Sequence, residues 1–395
     1  MTARHSESTR RSFAGPALFS MGFRPFFLAG ALWAVVAVLV WLPQFFGELT
    51  LTTAFHPLDW HAHETLFGYG GAVVTGFLLT AVPNWTGRLP IQGRGLAGLV
   101  LLWLAGRAAV LLSAKIGWAA PALVDCAFLL TVCGVIAREI VAGENTRNLK
   151  VLIFVGLIAC ANIAFHIEAH VDGDAAHARR FGLAALVALV MLIGGRVIPS
   201  FTHTFLARRG PGRLPQTFDR FDAVCLAVSV PALVGWGCLP DNATVGAALI
   251  AAGLLNSARL ARWAGERAAG EPLVAILHLA YLFVPLGFLL NGVAAATGAL
   301  PISAGVHAWG VGAIGAMTLA VMTRASLGHT GQRLSAGRAT QAIYAAVLLA
   351  ALARIAAALA PDRAFALLHV AALCWLAAFG GFILAYAGAL LRPRS

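Results

Sequence analysis

The sequence predicts an all-α, polytopic membrane protein of about twelve transmembrane helices. Three observations carry that expectation. Sixty per cent of the 395 residues are hydrophobic and 11% are charged, against about 25% charged in a soluble domain. Apolar runs of 16 to 22 residues recur from Leu28 to Tyr386, and roughly 20 such residues cross a bilayer core. The linkers are short and punctuated by Pro, Gly and Arg, which leaves no room for a separate soluble domain.

In chain order, residues 1–25 are basic and polar without an apolar core, so they read as a tail and not as a cleavable signal. Spans are expected at 26–43, 63–83, 96–113, 121–138, 150–167, 181–199, 221–239, 243–258, 273–293, 304–323, 340–358 and 364–390, within one domain covering 26–390. Residues 391–395 form a short C-terminal tail.

Orientation follows from Lys and Arg. With a cytoplasmic N-terminus, 21 of the 28 basic residues fall inside, among them Arg4, Arg10, Arg11, Arg24, Arg88 and Arg208. Lys115, Arg179, Arg180 and Arg363 fall outside, and Arg107, Arg196 and Arg354 lie within spans. Both termini are therefore expected to be cytoplasmic. The net charge of +12 is a topology signal that also meets anionic lipid, and it does not point to nucleic acid. The six cysteines form no CxxC or CxxCH and lie in or at the ends of apolar runs. They read as small buried hydrophobes, and no zinc ribbon or covalent c-type haem is indicated.

The ends of spans 2, 6 and 10 resemble one another: TAVPNWTGR (80–88), GRVIPSFTHTF (195–205) and AVMTRASLGHTG (320–331). Every fourth helix is involved, which suggests a threefold pseudo-repeat of four helices.

Eight of the twelve histidines fall at or near the outer face: His56, His61, His63, His166, His170, His177, His307 and His369. Glu64, Asp59 and Glu168 lie beside them. Ionisable groups in spans are costly and mark function, and neutral imidazole is a common ligand of haem iron and copper. A lone interfacial histidine is ordinary; a cluster at one depth is not. His61 and His63 are two apart, about 200° around a helix, so they address different faces. His166 and His170 are four apart and share one face, a spacing that suits two ligands of one metal. Gly68, Gly70, Gly71 and Gly76 in span 2, and Gly310, Gly312 and Gly315 in span 10, read either as close helix packing or as a flat wall for a porphyrin. At the inner ends of spans 6 and 10, His203 and His329, with His278, Arg196 and Arg324, read equally as a second metal or haem site or as interfacial polarity.

GFRPFFL (22–28), WHAHETLFGYGG (60–71), TGFLLTAVPNWTG (75–87), GGRVIPSF (194–201) and HAWGVGAIGAMTLAVMTRASLGHTG (307–331) resemble the NnrS family of haem- and copper-containing bacterial membrane proteins. The resemblance spans most of the chain. It implies haem b and copper as cofactors, a place in the bacterial inner membrane, and a role in nitric oxide metabolism and nitrosative stress, often beside denitrification. A more distant likeness, at the level of fold alone, is to the twelve-helix catalytic subunit of haem–copper oxidases and nitric oxide reductases, whose haem ligands come from helices 2 and 10. Span 7 here has no adjacent His-His pair and span 10 has one outer histidine, so a copy of their binuclear site is not expected.

The leading expectation is thus a redox protein. His61 or His63, with His307, would hold haem; the other of the pair, with His166 and His170, would hold copper; Glu64 would orient a ligand or relay protons. Nitric oxide would be the substrate, and a quinol or small redox protein the electron donor. Transport by a twelve-span carrier, and haem-based sensing or scavenging without turnover, are the alternatives.

Overall fold

The computed structural model describes residues 13–145 and 148–393. Arg4, Arg10, Arg11, most of the N-terminal tail and the last two residues lie outside that range. Among the described residues there is no strand, and twelve helices are long and apolar enough to cross a membrane. They are α1 Phe23–Phe45, α2 Pro57–Thr86, α3 Gly93–Leu111, α4 Ala119–Ala142, α5 Leu149–Val171, α6 Ala176–Leu206, α7 Arg220–Cys238, α8 Ala243–Ala261, α9 Pro272–Thr297, α10 Ile302–His329, α11 Arg338–Leu359 and α12 Pro361–Leu391.

Helix is the one local structure that satisfies every backbone group of such apolar segments from within. The ends carry ordinary stop chemistry. Asp219 and Asn242 cap α7 and α8 with their side chains. Gly87, at φ 70°, ends α2 in a left-handed turn that a side chain would strain. Helices α2, α6, α10 and α12 run several residues past the expected spans. A hydropathy window sees only the apolar run, whereas the hydrogen-bond ladder continues into the polar turns at either end.

Even numbers of crossings return the chain to its starting face, and one side chain closes the bundle there. Arg24, at the start of α1, donates to the carbonyls of Leu390 (3.0 Å) and Arg392 (2.6 Å) at the end of α12. The opposite face is called the far face below.

Position in the bundle follows burial. In their most apolar stretch, α2 and α6 are 72% buried and α9 and α10 67%, against 33% for α3 and α8. The first four are central. The peripheral helices present Leu101, Leu123, Ile153, Leu254, Leu373 and Leu384 outward, as lipid requires. Helices α2 and α10 share a feature that α6 lacks. Each begins as α-helix up to a histidine, His63 or His307, and then widens to π-helix, over Glu64–Gly70 and Ala308–Gly315. Helix α6 is α throughout. Such wide turns are rare and concentrate at functional sites.

Candidate metal and cofactor sites

At the far face α2 starts with Pro57 at its first turn, followed by Asp59, Trp60, His61 and His63. The 200° between the two histidines sends them into different surroundings.

His63 is fully buried and enters a polar cluster between α2, α3, α4 and α5. Its Nδ1 lies 3.0 Å from Glu64 Oε1, and its Nε2 lies 3.1 Å from Asn162 Oδ1 and 3.2 Å from Asp125 Oδ2. His166 Nε2 is 3.0 Å from the same Asp125 oxygen, and Asn162 donates to it at 2.8 Å. Arg107 of α3 ties the two acids together. It donates to both oxygens of Glu64, at 2.8 and 2.7 Å, and to Asp125 Oδ1. Gly68 makes this possible, because a Cβ there would stand 2.7 Å from Arg107 Nη1 and 2.9 Å from Glu64 Oε2. Trp103 satisfies the Gly68 carbonyl in the widened turn, at 3.0 Å.

Two points of chemistry follow. With Nδ1–H donating to Glu64, His63 Nε2 faces two oxygens, Asn162 Oδ1 and Asp125 Oδ2, a geometry that a proton or a metal ion between them satisfies. And two carboxylates against one guanidinium leave one negative charge in excess when both imidazoles are neutral, which suits a bound cation in a low-dielectric interior. His63, Asp125 and His166 each offer a ligand atom, all within 4.8 Å of one another, and all three residues are buried. Glu64 behind His63 completes the carboxylate–histidine arrangement that fixes tautomer and ring at metal sites. Phe55, Phe67 and Phe165 surround the His63 ring at 5.0 to 5.3 Å, keeping the site dry.

His61 turns the other way, into a cavity of about 370 Å³ bounded by α1, α2, α6, α10, α11 and α12. His307 of α10 lines the same cavity. It donates Nδ1–H to the Ser303 carbonyl at 2.6 Å, so Nε2 is left as the free ligand atom. The His61 ring stacks on Trp41 at 4.1 Å, and its buried Nδ1 has no protein partner. The remaining wall is mostly apolar, including Leu66, Leu183, Val306, Ile314 and Trp375. Gly310 is open on its cavity side, with nothing within 4 Å of a would-be Cβ. The other glycines pack: Gly76 against Phe26 and Phe27, Gly312 against Phe283, Gly315 against Trp375, and Gly70 and Gly71 against leucines. Tyr69 hydrogen-bonds Thr318, tying α2 to α10 below the cavity.

The structure therefore brings His61 together with His307, and His63 with His166, on opposite sides of α2. Glu64 joins the His63 group, and the structure brings none of the other candidate histidines into either group. His170 is exposed and stacked on Trp118, 4.3 Å away; four residues of helix carry it about 6 Å beyond His166. His203 is exposed. His329 rests against Phe23, with ring centres 5.4 Å apart, and His278 meets Thr202 at 2.9 Å. Asp125, Arg107 and Asn162 were not singled out as site residues. The signal for the first two was present, since each is an ionisable group within a span; Asn162 lies one turn before His166 on the same face.

The NnrS protein family matches residues 17–394, and the chain belongs to that family. No curated relative matches it.

Proposed function

We propose that this NnrS-family chain is a haem b and copper protein of nitric oxide metabolism and nitrosative-stress defence. It would sit in the bacterial inner membrane with both termini cytoplasmic and the far face outward. The observation that carries the reading is the division of the HAH triplet: one imidazole enters an apolar cavity that also holds His307, and the other enters a buried His/His/Asp cluster with one negative charge in excess.

The residues fit the two groups. His61 and His307 would hold haem, one with an unpartnered buried nitrogen and one with Nε2 left free by its bond to Ser303. The cavity volume of about 370 Å³ lies in the range of small-molecule sites, and Gly310 leaves one wall bare. His63, His166 and Asp125 would hold copper, which accepts imidazole readily. When bound, haem iron would supply electrons to nitric oxide and, once His61 or His307 gives up its place, a site that binds it. The chain's part is to exclude water with Leu66, Val306 and Trp375, and to fix the imidazoles. Glu64, held by Arg107 on both oxygens, orients His63.

Reduction would join two nitric oxide molecules with two electrons and two protons, giving nitrous oxide and water, with electrons from a quinol or a small redox protein. The test is a reduced-minus-oxidised spectrum with copper content for wild type, His61→Ala and His307→Ala, before and after nitric oxide. A b-type signal lost or shifted in both variants, with many turnovers by wild type, supports the reading. Binding once per haem, without turnover, would make the protein a sensor or scavenger. No haem in wild type would overturn it.

A further inference from the structure

Three arginines line the cavity between α2 and α10: Arg179, Arg180 and Arg354. Two are engaged. Arg179 pairs with Asp59, and Arg180 donates to the Gly237 carbonyl at 3.0 Å. Arg354 of α11 differs: among the described residues it has no hydrogen bond and no carboxylate within ion-pair distance, and it is half-buried. Its position is not incidental. It shares the cavity wall with His61 and His307, which offer it no negative charge, and most of what surrounds it is apolar. A guanidinium does not deprotonate in a protein, and a charge kept out of water without a counter-ion is costly. A chain that places one in an apolar cavity holds it there for an anion that comes from outside the chain.

We infer that the occupant of this cavity is an amphiphile bearing a carboxylate, and that Arg354 grips that carboxylate while the apolar body fills the space towards Leu66, Ile314 and Trp375. A planar fork matches a carboxylate with two parallel hydrogen bonds, which a single ammonium cannot do. The inference deepens the haem reading and rests on it in one respect: the carboxylate would then be a propionate. It adds a specificity determinant, because a neutral ligand of the same shape would leave Arg354 unpaired.

The experiment compares acid with ester. Full-length protein in detergent, prepared without haem, is titrated with haem and with haem dimethyl ester, following the Soret band. Wild type is expected to prefer the acid by about ten- to a hundredfold, the range of a hydrogen-bonded charge pair. Arg354→Gln is expected to remove that preference while binding the ester within about threefold of wild type, which shows the cavity still folds. Arg354→Lys should restore part of the preference, since charge returns without the fork. Equal binding of acid and ester by wild type, or equal weakening of both by Arg354→Gln, would overturn the inference and leave the haem reading standing. If wild type binds neither porphyrin, the haem reading fails, and the same comparison with the fluorescent cis-parinaric acid and its methyl ester decides the matter. Preference for the acid that depends on Arg354 then supports the inference; no preference, or no binding, refutes it.

Discussion

Asp125→Asn is the sharpest perturbation of the His63/His166 cluster. The side chain keeps its shape and loses its charge. One oxygen of Asp125 accepts from Arg107; the other meets Asn162 at 2.8 Å, His166 at 3.0 Å and His63 at 3.2 Å. Two losses follow. As a metal ligand its removal should exceed the 10–100-fold cost of disturbing a residue behind the ligands, so that copper falls below about a tenth per chain after dialysis. As an ion-pair partner its loss should destabilise the fold by about 3 kcal/mol, the lower end for breaking a buried pair, because Glu64 still holds Arg107 through two contacts. Glu64→Gln alone should behave alike. The double variant should lose more than the sum of the two, since only then does Arg107 stand without any anion. Metal analysis, the haem spectrum and denaturant unfolding in detergent measure all three. Haem content should not change, because the cavity with His61 and His307 lies across α2. Stoichiometric copper in folded Asp125→Asn, or an additive double variant, would refute the reasoning.

His61→Ala should lower haem content and spare copper, and His63→Ala should do the reverse; metal and haem analysis of the purified variants would expose any common site. Gly312→Ala should cost about 1–3 kcal/mol from overpacking, since the new Cβ stands 2.3 Å from the Phe283 ring, while Gly310→Ala, with open space around it, should leave unfolding in detergent unchanged within error. At the start of α7, the hydrogen bond from Arg262 pulls the Asp219 carboxyl down to about 2, below its ordinary value. A depressed acid contributes stability above its unfolded pKa and loses it as pH falls through the folded one. Hydrogen-exchange protection factors at Phe221 and Asp222, which Asp219 caps, taken relative to the intrinsic amide rate at each pH, should therefore fall between about pH 4 and pH 2, and Asp219→Asn should flatten that fall.

The twelve spans were legible because lipid demands uninterrupted apolar helix, and run length reports it directly. The divergence of His61 and His63 was legible from helix geometry alone. Which histidine meets which neighbours was not. That depends on α4 and α5 packing on one side of α2 and α10 and α11 on the other, and hydropathy carries no record of which helices touch. Arg107 and Asp125 joined the site for the same reason: they sit 43 and 61 residues beyond Glu64 and 18 apart from each other, a relation that only the fold reveals. The π-helical turns were hidden too. Hydrogen-bond register leaves no mark in composition, although GYGG and GVGAIG, poor in side chains on one wall, were its trace. His170 shares the helix face of His166, as spacing requires, yet one turn of rise takes it out of the cluster.

The placement of the sites decides what kind of metal chemistry the chain supports. In a binuclear centre, two metals share one cavity and hold two small molecules between them. Here the cavity with His61 and the cluster with His63 lie on opposite faces of α2, and a helix with its side chains is about 10–12 Å across. Only His61, Ala62 and His63 connect them along the chain. On the proposed reading, both nitric oxide molecules would meet in the His61/His307 cavity, where the open space is, and a metal at His63 would store or pass an electron rather than hold a substrate. A magnetic consequence follows. In the oxidised, metal-loaded protein, haem and copper should give separate paramagnetic signals, each removable without altering the other: the copper signal by Asp125→Asn, the haem signal by His61→Ala. A spin-coupled pair, silent until one partner is removed, would place both metals in one cavity and refute the division of the two histidines.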